Sequence, residues 1–134
     1  MNVVDQALQA WYGGDGVLPG ITNGLWPDEA PPKDAGGPKL PFITYVMTGV
    51  TPDNAIRQYV DDVVITFYLR SGKAAPDEVN DIYERFDSRF NRAIIPVASH
   101  TTVRLDRVGG GRARDADGGW VFVANYQWAV QEGA

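Results

Sequence analysis

Residues 63–69 read VVITFYL, and this run decides the fold. It is the apolar centre of a longer stretch, from Gln58 to Arg70, whose β-branched and aromatic residues favour a strand. Successive residues of a strand point to opposite faces, and apolar side chains of this run occupy both faces. We therefore expect the central strand of a sheet, with both of its faces partly covered.

The segment that follows predicts the clearest helix of the chain. Pro76 stands where a first helical residue is favoured, and Asp77 and Glu78 follow it at the positive end of the helix dipole. Apolar residues then recur at helical spacing as far as Asn91; they are Val79, Ile82, Tyr83, Phe86 and Phe90. This spacing predicts a helix over residues 76–91 whose apolar stripe is buried against the sheet.

Shorter patterns complete the order of elements. A short helix is predicted over residues 2–12, because Val4, Leu8 and Trp11 recur at helical spacing. Four further strands are predicted over residues 21–26, 40–50, 100–108 and 120–130. This order predicts an α+β fold, with an antiparallel or mixed curved sheet of about four to five strands and one long and one short helix packed on one side. We expect residues 1–134 to form one domain.

Two stretches rich in glycine interrupt the pattern. Residues 13–39 also contain many prolines and are expected to form an irregular arm. Residues 109–119 are expected to form a long hairpin loop, because they are too many and too polar for a tight turn. Mixed charge on a flexible arm suits contact with another subunit, and the alternative for residues 109–119 is a solvated loop. Trp26 could likewise contact a neighbouring subunit, or it could anchor its own loop to the core. The candidate subunit-interface residues are Trp26, Arg112, Arg114, Asp115 and Asp117.

The composition excludes several classes of site. The 134 residues include no cysteine, which rules out disulfides, cysteine-ligated metal centres and thiol nucleophiles. The 12 basic and 17 acidic residues give a net charge of −5, which does not favour sequence-specific nucleic-acid binding. No stretch approaches the ~20 apolar residues of a membrane span, and the first residues lack the pattern of a secretory signal.

No motif supplies a catalytic or metal-binding constellation. His100 is the single histidine and has no recognisable partner, while Asp61 and the aspartate after it point to opposite faces of a strand and form no dyad. The glycines at 109–111 are not followed by the lysine and helix of a phosphate-binding loop. The Asp115-x-Asp117-Gly sequence lacks the later glutamate of a calcium loop. We therefore predict no catalytic residue, no cofactor and no bound metal.

Several of these segments together resemble a known family. In chain order they are the short helix ending at Leu8 to Trp11, the Pro31-Pro32 loop, residues 40–45 (LPFITY), residues 63–69 closed by Arg70-Ser71-Gly72, the helix at 76–91, and the hairpin from 103–106 (VRLD) to 122–126 (FVANY). This ordered set, which extends over most of the chain, resembles the tail terminator and tail completion proteins of long-tailed bacteriophages and gene transfer agents.

The resemblance implies a structural subunit that forms a ring, a homo-hexamer, at the head-proximal end of the tail tube. Its partners would be other copies of itself, the tail tube protein and the head–tail connector or neck protein. DNA would pass through the lumen without sequence-specific binding, and no membrane would be involved. The resemblance also implies that the protein is made in the host cytoplasm and resides in the virion, at the head–tail junction.

Other functions stay open at the level of sequence. One is a neck or head-completion subunit of the same particle. Another is a small cofactor-free α+β enzyme in which Asp61 acts as the base beside an apolar pocket. A third is a ligand-binding module lined by Tyr68, Tyr126 and Trp128. The glycine- and proline-rich stretches favour the structural role, because such arms are hard to explain in a compact enzyme.

Overall fold

The computed structural model describes residues 3–28, 39–55, 58–98, 100–102, 104–115 and 118–132. Its elements, in chain order, are α1 (Val3–Gly13), α2 (Leu18–Ile21), β1 (Leu25–Pro27), β2 (Phe42–Ala55), β3 (Gln58–Ser71), α3 (Asp77–Phe90), β4 (His100–Thr102), β5 (Asp106–Arg114) and β6 (Trp120–Glu132). The predicted central strand and the predicted long helix are confirmed as β3 and α3, within a residue or two at each end.

The six described strands form one open sheet that is five positions wide. Their order is β1, β2, β3, β6, and then β4 and β5, which pair with successive parts of the far edge of β6. β1 runs parallel to β2, whereas the other pairings are antiparallel. The predicted α+β class with a mixed sheet is confirmed.

The described helices pack on one face of the sheet. Residues of all three helices join the inward residues of β2, β3 and β6 in one hydrophobic cluster. In β3, Ile65, Phe67 and Leu69 are fully buried on this face, while Thr66 and Tyr68 on the opposite face are half-buried. β3 is therefore central, and its second face carries none of the described helices.

An aromatic cluster joins α3 to the sheet. The Phe86 ring lies 4.7 Å from Phe67 of β3 and stacks on Phe90 at 4.2 Å, and the Phe67 ring meets Tyr126 of β6 edge-on at 5.6 Å. Val79, Phe86 and Phe90 have no exposed surface. The predicted burial of the α3 stripe is confirmed. Since a buried aromatic side chain removes a large apolar area from water, this cluster supplies much of the stabilisation of the helix.

The prediction of a long hairpin loop over residues 109–119 is wrong. Residues 109–114 belong to β5 and pair with β6 from Trp120 to Asn125, which leaves residues 115–119 as the connection. One glycine of this strand, Gly110, is required by a close approach of two backbones. Gly110 has a φ of 142°, and a Cβ there would collide with the carbonyl oxygen of Val123. A register shift between Arg107 and Gly109 marks a bulge in the same strand.

Two other predicted boundaries change. The strand predicted over residues 100–108 is divided into β4 and the start of β5, and Leu105 between them forms an isolated bridge with Ala93. The arm predicted over residues 13–39 contains α2 and β1 in its described part. Residues 29–38, which hold the Pro31-Pro32 pair, lie outside the described residues.

Candidate subunit-contact surface

Arg112 and Arg114, both predicted to contact another subunit, lie on β5 and share one aromatic ring. They pair across the strands with Phe122 and Trp120, whose side chains are on the helix-covered face. The guanidinium of Arg112 lies 4.9 Å from the centroid of the Trp120 ring, and that of Arg114 lies 4.5 Å from it. Cation–π contacts of this kind favour a guanidinium on an indole, although two like charges on one ring repel each other.

Neutral acceptors complete the surroundings of these two arginines. Arg112 Nη1 donates to Asn80 Oδ1 of α3 at 3.0 Å. Arg114 Nη1 donates to the carbonyl oxygens of Gly118 at 2.9 Å and Ala74 at 3.2 Å. These hydrogen bonds fix the orientation of both guanidinium groups. No carboxylate of the described residues lies within 4 Å of either group to neutralise its charge.

A third arginine extends the same surface. The guanidinium of Arg107 lies 5.2 Å from the ring of Tyr83, which itself stacks on Phe122 at 3.7 Å. Burial raises the pKa of the Tyr83 hydroxyl, and the nearby Asp87 carboxylate adds to that rise. We call Arg107, Arg112 and Arg114 the arginine flank. All three are exposed and lie along the side of α3 that faces β5.

The other described residues of the predicted interface, Trp26 and Asp115, do not join this flank. Asp115 accepts a hydrogen bond from Arg70 Nη1 at 3.0 Å, so its carboxylate already has a partner within the chain. Asp117 lies outside the described residues. Trp26 belongs to β1 at the opposite edge of the sheet, where its Nε1 donates to Asn23 O at 3.1 Å. The predicted set is therefore divided between two edges of the sheet.

Trp26 anchors its own turn while it remains half-buried. It pairs with Thr44, on the sheet face opposite the helices, and its indole covers Gly24. Gly24 has a φ of 108°, and a Cβ at this position would lie 2.6 Å from the indole nitrogen. Only glycine fits beneath the ring, so the sequence Gly24-Leu25-Trp26 fixes the start of β1.

Another side of α3 carries three carboxylates, of which the sequence interpretation considers only Asp77 and Glu78, as partners of the helix dipole. An open groove of about 410 Å³ separates the first turns of α3 from α2. The residues lining it are Ile21, Lys73, Ala75, Asp77, Glu78, Asp81 and Ile82. The Glu78 carboxylate forms an ion pair with Lys73 Nζ at 3.3 Å and accepts a hydrogen bond from the Ser71 hydroxyl at 2.6 Å. Asp77 and Asp81 are exposed and have no cation within 4 Å among the described residues. We call these two residues the acidic flank.

The same side of α3 is tied to the preceding loop by an ion pair. Asp15 Oδ1 accepts from Arg85 Nη2 at 2.8 Å, and Asp15 Oδ2 accepts from the backbone amide of Leu18 at 2.7 Å. Burial by itself raises the pKa of the Asp15 carboxyl. The hydrogen bonds from Arg85, Leu18 and Val17 outweigh that effect and hold the pKa below its ordinary value.

The alternative ligand pocket predicted from three aromatic residues does not form. Tyr126 and Trp128 have no exposed surface, and the Tyr126 hydroxyl donates to Asp87 Oδ1 at 2.9 Å. Burial raises the pKa of Tyr126 above its ordinary range, and the hydrogen bond to Asp87 adds to this effect. Tyr68 pairs with Val123 on the opposite face of the sheet. The three rings therefore line no common cavity.

The strand pairing places the backbones of the two candidate catalytic residues, His100 and Asp61, in different strands. His100 begins β4 opposite Glu132, and Asp61 lies in β3 between Pro52 and Val130 of the neighbouring strands. Among the described residues, no group of three histidine or acidic side chains is placed to hold a metal ion. In that same part of the chain, no helix has the length and apolar character needed to cross a membrane.

Comparison with solved structures reveals a likeness in fold. No protein-family model matches the chain. No curated protein matches it either. Among solved structures, a chain from the virion of a native gene transfer agent particle matches with a TM-score of 0.65 and 19% sequence identity. The match covers 99% of this chain and 100% of that chain. At this identity the likeness shows a common fold over the whole length of both chains.

Proposed function

We propose that the protein is a structural virion component that forms a ring, of six copies, on the head-proximal end of a phage-like tail tube. The ring stops polymerisation of the tube and offers the surface to which the neck attaches. The observation that carries this proposal is the fold shared over 99% of the chain with a chain from a gene transfer agent virion. The ordered segments that resemble tail terminators point in the same direction.

The surfaces of the chain suit this role. Stacked rings of a tube use head-to-tail contacts that do not close and could grow indefinitely, so a terminating ring needs two unlike faces. Here one face of the sheet is covered by helices, and the other exposes a mixture of apolar and polar side chains. The cationic β5 edge also differs from the β1 edge, which carries Trp26. Such a subunit acts through surfaces and needs no catalytic group.

The second candidate is a neck or head-completion subunit of the same particle. The virion likeness supports this alternative equally, because the matched chain is named only as part of a virion. The two roles differ in what happens to the tube when the subunit is missing. Loss of a terminator releases tube growth, whereas loss of a neck protein leaves tubes of normal length without heads.

Deletion of the gene, followed by electron microscopy of the resulting lysate, tests the proposal. We expect overlong tubes without heads, and tubes of normal length after the wild-type chain is supplied again. Headless tubes of normal length would assign the chain to the neck instead. A chain that is absent from purified particles would refute both structural roles. The variants His100→Ala and Asp61→Asn should restore normal tubes, whereas an enzyme that uses either residue would lose its function.

A further inference from the structure

Two surfaces of this chain each hold like charges together without a counterion. On one side of α3, Arg112 and Arg114 lie over the same indole ring, at 4.9 and 4.5 Å from its centroid. On the other side, Asp77 and Asp81 are one helical turn apart, a spacing at which like charges destabilise a helix. Both pairs lack an opposite charge within 4 Å among the described residues.

The two surfaces lie on different sides of one helix. Asn80 and Tyr83 of α3 face the arginine flank, as their contacts with Arg112 and Arg107 show. The acidic flank borders the groove toward α2, together with Ile21. A copy of the chain therefore cannot bring its own arginine flank onto its own acidic groove. A second copy can place its arginine flank there, and its own acidic flank then stays free for the arginine flank of a third copy.

We propose that the arginine flank of one copy docks on the acidic flank of a second copy, in a repeating head-to-tail contact. This inference rests on the proposed ring, because a contact between two different surfaces of one chain is the kind that generates rings. Charge complementarity identifies the occupant, since each surface supplies what the other lacks. The outer edge of β5, which has no paired strand among the described residues, lies beside the arginine flank and allows a close approach of backbone.

Charge reversal on one flank at a time gives a sharp test. Variant A carries Arg112→Glu and Arg114→Glu, and variant B carries Asp77→Arg and Asp81→Arg. In variant A the arginine flank keeps Arg107 but gains two carboxylates, so both flanks have a net negative charge. In variant B both flanks are basic. Each variant should therefore fail to associate with itself. In an equal mixture, every acidic surface of A meets a basic surface of B, and association should return.

Sedimentation velocity at low ionic strength, with protein concentrations up to about 1 mM, measures this association. We expect the self-association of A and of B to be at least ~10-fold weaker than that of the wild type, and the mixture to recover most of it. The control Lys39→Glu reverses an exposed charge that belongs to neither flank and should associate normally. Since Arg112 and Arg114 also stack on Trp120, circular dichroism must show that A remains folded. The neutral double variant Arg112→Gln, Arg114→Gln supplies a second test, and we expect it to associate more weakly than the wild type.

Several outcomes would overturn the contact. They are a wild type that stays monomeric throughout, A and B that each associate normally, and a mixture that does not recover. Equal association of all variants, with loss of duplex DNA binding only in A, would assign the arginines to nucleic acid instead. Failure of the proposed function gives a different pattern. If association returned in the mixture but the protein were absent from particles, the contact would stand and the proposed function would fail. If A or B alone built a normal ring in particles, only the contact would be refuted.

Discussion

Trp11 and Arg89 form reciprocal hydrogen bonds, in which each side chain donates to the backbone carbonyl of the other residue. Arg89 Nε and Nη2 donate to the carbonyl oxygen of Trp11 at 3.0 and 2.9 Å, and Trp11 Nε1 donates to the carbonyl oxygen of Arg89 at 2.9 Å. The guanidinium also lies 3.8 Å from the centroid of the indole ring. The Trp11 carbonyl belongs to the last turn of α1, where backbone acceptors lack helical partners. The pair therefore caps α1 and fastens it to the end of α3.

Replacing Arg89 by lysine should loosen this connection. The variant Arg89→Lys keeps the charge but loses the planar fork that donates twice to Trp11 and stacks on its ring. We expect a loss of about 1–3 kcal/mol in the free energy of unfolding, measured by urea denaturation, with faster amide exchange in α1. Arg104→Lys is the matched control, since Arg104 is exposed and its one ion pair with the described residues is to Asp106. This variant should stay within ~0.5 kcal/mol of the wild type. Equal effects of the two variants would contradict this account of the clamp.

The aromatic cluster beneath α3 predicts a large cost for truncation. Phe86→Ala removes a fully buried ring that contacts Phe67 and Phe90, and should reduce the free energy of unfolding by about 3–5 kcal/mol. Ser88→Ala, on the exposed face of the same helix, should change it by less than ~0.5 kcal/mol. Thermal and urea unfolding of the two variants measure the difference. If Phe86→Ala melted within a degree or two of the wild type, the packing of α3 would be wrong.

Neighbouring glycines of β5 provide a matched pair. A Cβ at Gly110 would collide with the carbonyl of Val123, and its φ of 142° strains any other residue, whereas a Cβ at Gly111 meets nothing within 4 Å. We expect Gly110→Ala to cost about 2 kcal/mol or more and to weaken the pairing of β5 with β6. Gly111→Ala should be neutral or stabilise the protein by up to ~1 kcal/mol. Amide exchange along β5 and β6 reads out the pairing. Two variants that behave alike would favour a loop at 109–114 over a paired strand.

The Asp15–Arg85 pair predicts a pH dependence of stability. Because the pKa of Asp15 is lower in the folded protein than in the unfolded chain, the carboxylate stabilises the fold above the unfolded value. This contribution is lost as the pH falls through the folded pKa. Wild type and Asp15→Asn should therefore differ most in stability above about pH 5 and converge below pH 3.8. Urea midpoints over a pH series measure both proteins, and a difference that did not shrink toward acid would contradict the assignment.

The elements that sequence predicted well are those whose signal is local. The α3 stripe has helical spacing, and residues 63–69 are uniformly strand-forming, so both elements follow from neighbouring residues. The strand β5 has no such signal. Its sequence, DRVGGGRAR, has the composition of a loop, and only the pairing with β6 makes it a strand. Strand preference depends on cross-strand neighbours, which a single sequence does not provide.

The candidate surface shows the same division. The sequence singles out Arg112 and Arg114 as charged residues of one segment, but their position over Trp120 depends on the register between β5 and β6. Trp26 and this pair lie at opposite edges of the sheet because of the strand order, which local spacing cannot reveal. The acidic flank is missed at the level of sequence, because Asp77 is considered there only as a partner of the helix dipole and Asp81 is not singled out. A spacing of four between two exposed aspartates was the available signal.

Cryo-electron microscopy of the head–tail junction in purified particles tests the central claim most directly. We predict a closed ring of six copies of this chain on the last ring of the tail tube, with the α+β fold recognisable in each copy. The tube protein should contact one face of this ring and the neck the other. A junction whose density has no place for this fold, or particles that assemble and join heads without the chain, would contradict the account.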